Sequence, residues 1–155
     1  MLYFAYGSNM EWDQMKERCP SARFVGVAVL RDHRLAFTRR SVRRDCGVAD
    51  AVPDKGKTVW GAVFEIDDVD VGRLDVSEGY KPGRAKNAYR REERHVFVAG
   101  DDKQPLAVAV YFGEPQDAPP LPNQEYKNLI LAGARRWRLP DDYIKELEAI
   151  EVAAE

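Results

Sequence analysis

Apolar residues along this chain fall into short runs whose spacing changes from strand-like to helical and back. Leu2-Tyr3-Phe4-Ala5-Tyr6 is apolar and rich in aromatics, which predicts a buried strand ending at Gly7, where the backbone can turn. Ser8 and Glu11 have the spacing of a capping box, with Ser8 as N-cap of a helix running to about Arg18, before Pro20. Arg23 to Arg31 is almost continuously apolar and predicts a strand buried on both faces, with His33 to Phe37 continuing it after a bend. Arg39 to Lys57 holds few apolar residues and two turn signals, at Gly47 and at Pro53-Asp54-Lys55-Gly56. Val59 to Ile66 predicts a strand, and Asp67 or Asp68 caps a short helix to about Val76. Glu78 to Ala88 reads as a loop. Arg91 to Val98 and Leu106 to Phe112 read as a hairpin across Gly100-Asp101-Asp102. After a Pro-rich stretch, Tyr126, Leu129, Ile130, Gly133, Ala134 and Trp137 recur on one helical face, and Pro140 opens a second short helix.

The order β-α-β-β-α-β-β-α-α predicts an α+β domain with a mostly antiparallel or mixed sheet. At 155 residues the chain fits one domain, 1–155, large enough for its own core. Composition changes the picture only by exclusion. Apolar residues at 45% and charged residues at 32% argue against extensive disorder. A net charge of −2 argues against a general nucleic-acid binder. Two cysteines make no disulfide framework, and two histidines offer no metal-ligand spacing. No stretch approaches the ~20 apolar residues that span a bilayer, and the first apolar run is too short for a secretion signal. A cytoplasmic protein with no membrane partner is expected.

Two places carry candidate chemistry. Gly7, Ser8 and Asn9 lie where a strand gives way to a helix, and free N–H groups there suit a carboxylate or a developing oxyanion. A plain turn and cap explain the same residues, since such junctions are common. Glu78 follows a short helix, one turn after Asp75. Burial near Asp75 would raise its pKa from the usual ~4.3 toward neutrality, where a general base works; a solvated loop carboxylate is the plainer account. Arg31, Arg34, Arg39, Arg40, Arg43 and Arg44 form a basic run. It suits a solvated strand end and loop, recognition of a substrate carboxylate, or, least well, nucleic acid. Trp12, Trp60 and Trp137 read as packing residues, with Trp12 also near enough to the first loop to line a pocket. Cys46 reads as a surface thiol, with a reactive role as the alternative. His33 and His95 read as structural strand residues.

Three blocks in order carry a family resemblance: Tyr3-Phe4-Ala5-Tyr6-Gly7-Ser8-Asn9, the Leu74-Asp75-x-x-Glu78-Gly79 pattern, and Glu125 to Glu151 (EYKNLILAGARRWRLPDDYIKELEAIE). Pro20-Ser21-Ala22 and Val59-Trp60-Gly61 lie between them. Together they resemble the γ-glutamylcyclotransferase family, also called AIG2-like. The resemblance implies a small closed mixed β-barrel flanked by helices. It implies conversion of a γ-glutamyl amino acid or amine to 5-oxoproline with release of the amine. It places the γ-glutamyl moiety on Tyr3, Phe4, Ala5, Tyr6, Gly7, Ser8 and Asn9, makes Glu78 the catalytic acid/base, and closes Tyr126 over the site. Two segments depart from the family. Gly79 to Ala88 is longer, so that Tyr89 comes later than the tyrosine usual there, and Cys46-Gly47-Val48-Ala49-Asp50 replaces a Gly-Gly-Ile/Val-Ala-Thr-like run. Both are expected on the leaving-group side.

The implied substrate carries its own nucleophile, the α-amino group, so the reaction needs no cofactor, metal or serine nucleophile. A γ-glutamylamine cyclotransferase, a related acyl-group cyclotransferase and a non-catalytic binding module of the same fold are the alternatives. The expected partner is a small γ-glutamyl molecule, glutathione among the candidates; a homodimer is left open.

Overall fold

The computed structural model describes residues 1–154. Five strands, β1 (Leu2–Ala5), β2 (Arg23–Ser41), β3 (Cys46–Glu65), β4 (Tyr89–Val98) and β5 (Pro105–Gly113), close a barrel in the order β1-β3-β2-β4-β5. All neighbours are antiparallel except β1 and β5, which meet in parallel at Tyr3 and Ala109 and close the circle. The helices are α1 (Trp12–Arg18), α2 (Asp68–Ser77), α3 (Gln124–Arg136) and α4 (Asp141–Glu148). The closed mixed barrel with flanking helices implied by the resemblance is the architecture found.

β1 is short because Gly7 follows it and Ser8–Met10 forms a 3-10 turn. That turn is pinned from outside by α3. The Trp137 indole N–H donates to the Met10 carbonyl at 2.8 Å, and a Cβ on Gly133 would come within 2.4 Å of the Met10 carbonyl carbon. Only a glycine at 133 lets the helix lie this close. The core beneath includes Phe4, Phe64, Met10, Met15, Leu74 and Ile130, all fully buried.

Five expectations need correction. Ser8 does not cap α1. Glu11 does, its carboxylate accepting from the Asp13 and Gln14 amides at 3.2 and 2.8 Å, because the 3-10 turn delays the helix by one turn. Arg39 to Lys57 is not irregular. β2 runs on to Ser41 and β3 begins at Cys46, so both strands of a long hairpin pass through it. One face of an antiparallel hairpin can remain in water, so polar residues did not forbid strands. The Pro53–Gly56 signal marks a bulge rather than a chain reversal. Register shifts between Arg31 and His33, where Asp32 adopts φ +60° and its carboxylate accepts from the Gly56 amide at 3.0 Å. The reversal itself spans 42–45.

Arg23 to Arg31 is not buried on both faces. Phe24 and Val25 are exposed, and full burial begins at Ala28. Phe24 instead stacks on Trp137 with ring centroids 4.1 Å apart. Cys46 is not a surface thiol: it and Cys19 are both buried and free. Trp12 packs on Phe64 and Trp137. Among the described residues, no helix is long and apolar enough to cross a membrane.

Candidate active site

One end of the barrel opens into a cavity of about 330 Å³. The β1 end and 3-10 turn contribute Tyr3, Tyr6, Gly7, Ser8 and Asn9, and the end of α2 contributes Glu78. Glu78 sits here because α2 stops at it. Gly79 takes φ +66°, a left-handed conformation that glycine adopts without strain, and its amide bonds the Val76 carbonyl. The chain thus turns away just after Glu78, leaving the carboxylate at the mouth of the helix end.

Asn9 joins the two parts. Its amide nitrogen donates to Glu78 Oε1 at 3.1 Å and to the Tyr3 hydroxyl at 3.0 Å. Its amide oxygen accepts from Gln14 at 2.9 Å and Arg18 at 2.8 Å, which sets which end of the amide faces the carboxylate. Gln14 also donates to Ser8 Oγ, and its own oxygen accepts from Arg44 at 2.7 Å. Among the described residues, no protein acceptor stands against the Gly7, Ser8 and Asn9 backbone N–H groups. Orphan donors beside a carboxylate suit an anionic or oxyanionic guest.

Glu78 is half-buried, and its carboxyl is pushed up to about 7. Burial is the main cause. Arg18 and Arg44 pull the value back down, and Asp75 adds a smaller push upward. Asp75 acts less than its position one turn away suggests because it is engaged elsewhere. Arg91 Nη1 contacts both its oxygens at 2.7 Å and the Tyr111 hydroxyl donates to Oδ1. The Tyr6 hydroxyl donates to the Tyr111 carbonyl, tying this network to the first loop.

The opposite wall is the departing segment of β3. The Ala49 amide donates to the Tyr126 hydroxyl at 3.0 Å, and the Tyr89 hydroxyl donates to the Ala49 carbonyl at 2.6 Å. Burial raises both phenols, Tyr126 to about 12. Tyr89 therefore reaches the cavity despite the longer loop before it. Of that loop, Gly79 and Ala88 line the cavity, and their backbones bond each other at 3.1 Å.

The structure brings Tyr3, Tyr6, Gly7, Ser8, Asn9, Glu78 and Tyr126 to one cavity. Phe4 and Ala5 are not on its wall. Both are buried in the core, and β1 pairs Phe4 with Val63 and Ala5 with Ala62. Gln14, Arg18 and Tyr111 were not legible as site residues. The first two lie on an ordinary polar helix and Tyr111 in an apolar strand, with no local signal to separate them. Among the described residues, no group of three or more His, Cys, Asp or Glu side chains is placed to hold a metal ion.

The fold superposes on a solved gamma-glutamyl cyclotransferase with a TM-score of 0.89 at 31% identity, covering 100% of this chain and 90% of that one. A solved structure of an uncharacterized protein from Homo sapiens matches with a TM-score of 0.88 at 32% identity, over 99% of this chain and 89% of that one. The fold is thus that of an enzyme of the cyclotransferase class. Gamma-glutamylcyclotransferase of Mus musculus is 35% identical over 154 residues, 97% of this chain and 78% of that protein, and the Homo sapiens protein is 34% identical over the same span. Residues 3–139 match the family described as Gamma-glutamyl cyclotransferase, AIG2-like, and this chain belongs to that family.

Proposed function

We propose that this enzyme converts γ-glutamyl amino acids to 5-oxoproline and the free amino acid, with Glu78 as the only general acid/base. The observation that supports this most directly is the half-buried Glu78 carboxyl, raised to about 7, bonded to the Asn9 side chain and sharing one cavity with Gly7, Ser8 and Asn9. The substrate's α-ammonium gives a proton to ionised Glu78. Its nitrogen then attacks the γ-carbonyl carbon, and the carbonyl oxygen becomes an oxyanion held by the loop amides. The bond from that carbon to the leaving nitrogen breaks as Glu78 returns the proton to that nitrogen. The second proton, which the ring nitrogen must shed to become the neutral lactam, passes through the freed Glu78 carboxylate to the departing amine, which leaves as the ammonium.

A group titrating near 7 is well matched to taking and giving one proton at neutral pH, a contribution typically of about 10²–10⁴-fold. Each oxyanion donor is worth about 2.7–4 kcal/mol in comparable sites. Holding the flexible γ-glutamyl chain folded for ring closure supplies the larger part, since oriented intramolecular reactions reach about 10⁵–10⁸ M effective molarity.

The test is 5-oxoproline release from γ-glutamyl-alanine, γ-glutamyl-ε-lysine, other γ-glutamylamines and glutathione, wild type against Glu78→Gln. Release from γ-glutamyl amino acids by wild type, with at least 10²-fold loss in the variant, is expected. A folded Glu78→Gln protein with undiminished turnover would remove this mechanism. Preference for γ-glutamylamines would move the chain to the amine branch.

A further inference from the structure

The cavity holds more positive charge than the proposed chemistry uses. Five arginines line it, Arg18, Arg39, Arg40, Arg43 and Arg44, against one carboxylate, Glu78. Arg40 is paired with Asp45 on its own hairpin, with Nε to Oδ1 at 2.9 Å. Among the described residues, the other four make no ion pair with any carboxylate, while eight arginines elsewhere or at the tip do. This clustering has an electrostatic cost: Arg18 and Arg43 both act to lower the Arg44 guanidinium below its usual range, after burial itself.

The four divide by position. Arg18 and Arg44 act on Glu78 and belong to the Asn9–Gln14 network, at the reacting end. Arg39 and Arg43 line the same cavity without joining that network. Arg39 acts on Tyr89, and Arg43 stands exposed on the reversal between β2 and β3. The reversal is braced. Gly47 N–H donates to the Leu121 carbonyl at 3.0 Å, Arg40 N–H to Gln116 Oε1 at 2.8 Å, and Arg39 Nη1 to the Glu114 carbonyl at 2.8 Å. Its arginines are therefore presented on a held scaffold.

A γ-glutamyl amino acid brings two carboxylates: that of the glutamyl moiety and that of the leaving amino acid. Four guanidiniums without a carboxylate partner among the described residues can accommodate more. We propose that Arg39 and Arg43 make this enzyme selective for γ-glutamyl compounds whose leaving group carries an additional carboxylate, an acidic amino acid or acidic peptide. The inference rests on the cyclotransferase reading above and extends it to the class of leaving group. Charge-assisted contacts between guanidinium and carboxylate are roughly twice as strong as neutral ones, which makes arginine the fitting side chain.

The experiment compares kcat/KM for γ-glutamyl-glutamate and γ-glutamyl-glutamine, which differ in one charge at nearly constant shape. It uses wild type, Arg39→Gln, Arg43→Gln, the double variant and Arg43→Lys, with dissociation constants for both dipeptides measured calorimetrically on Glu78→Gln proteins. Wild type should prefer the glutamate compound by about tenfold or more, the effect of one charge-assisted contact. That ratio should fall toward one in the double variant, recover partly in Arg43→Lys, and shrink as salt rises. The ratio cancels general damage to the fold. A wild-type ratio near one, or a ratio unmoved by the double variant, overturns the proposal. If neither dipeptide is turned over, the reading that γ-glutamyl amino acids are the substrates fails while calorimetry still decides: tighter binding of the glutamate compound, lost on removing both arginines, upholds anion selection, and equal binding overturns it.

Discussion

Glu78 illustrates how one side chain's behaviour is set by neighbours that are remote in sequence. Burial raises it, and Arg18 and Arg44 restrain the rise. A carboxylate working first as a base must be ionised, so kcat/KM should climb with pH and level off above about 7. Replacing Arg44 with Met removes one cation that favours the ionised form, so the midpoint of that climb should move upward. A pH–rate profile of the two proteins checks this; a midpoint unmoved or lowered contradicts the assignment. Gly7 gives a second test. A Cβ there would stand 3.2 Å from Ala49 Cβ and 3.4 Å from the Tyr126 hydroxyl, on the wall of the cavity. Gly7→Ala should therefore lower kcat/KM by tenfold or more at small cost in stability, on the order of 1 kcal/mol. Loss of fold rather than rate, seen by thermal melting, would show that the glycine serves packing alone.

The elements around the site divide into those that hold it and those that pass by it. α3 holds the 3-10 turn from behind through Gly133 and Trp137. A Gly133→Ala methyl would press on the Met10 backbone, which cannot move aside as a flexible side chain would. The expected cost is at least about 1–3 kcal/mol, with a parallel loss of activity as the turn shifts. The loop between Gly79 and Ala88 behaves differently. Its middle is exposed and bonded to itself, with Lys81 N–H and the Arg84 side chain both donating to Asn87 Oδ1. Shortening it within 82–86 should leave the order of preferred leaving groups as it is, measured on the same substrate panel, because the cavity is lined only by its two ends. From sequence this loop is expected on the leaving-group side; residues 39–44 at the hairpin reversal line more of the cavity than the loop does.

For the protein as one cooperative unit, the raised Glu78 carboxyl carries a stability consequence. The folded state holds the proton to about 7, against 4.5 for the ordinary glutamate, so it binds the proton more tightly than the unfolded chain. The favourable contribution is complete below about 4.5 and is lost as pH rises through about 7. At about 1.4 kcal/mol per unit, the loss is on the order of 3 kcal/mol. Glu78→Gln removes this penalty, so its melting temperature should exceed that of wild type by an amount that grows from pH 4.5 to 7 and then stays constant. Equal pH dependence in the two proteins would mean that the carboxyl is not held raised by burial. With the expected difference, the buried Glu78 carboxyl is a place where a raised proton affinity is kept at the expense of stability at neutral pH.

Strand β1, its stop at Gly7, the helices of the C-terminal third and Glu78 at a helix end were all legible from residue order. These depend on near neighbours: side-chain period, glycine conformation and proline geometry act within a few positions. The three family blocks further carried the closed barrel, which no periodicity conveys. What sequence order left open involves partners separated by dozens of residues. Asn9 meets Glu78 across 69 positions and Ala49 meets Tyr126 across 77. The long β2–β3 hairpin was hidden because a strand with one face in water is stabilised by its pairing partner, and its own composition need not be apolar. The Ser8 cap failed because the 3-10 turn at Ser8–Met10, held by Trp137 of the C-terminal helices, makes the helix start later, so that Glu11 meets its first free amides, those of Asp13 and Gln14. The charge of the cavity was decided in the same way. The arginines are spread over residues 18 to 44 and become one cationic wall only when the barrel closes and brings the hairpin reversal over Glu78.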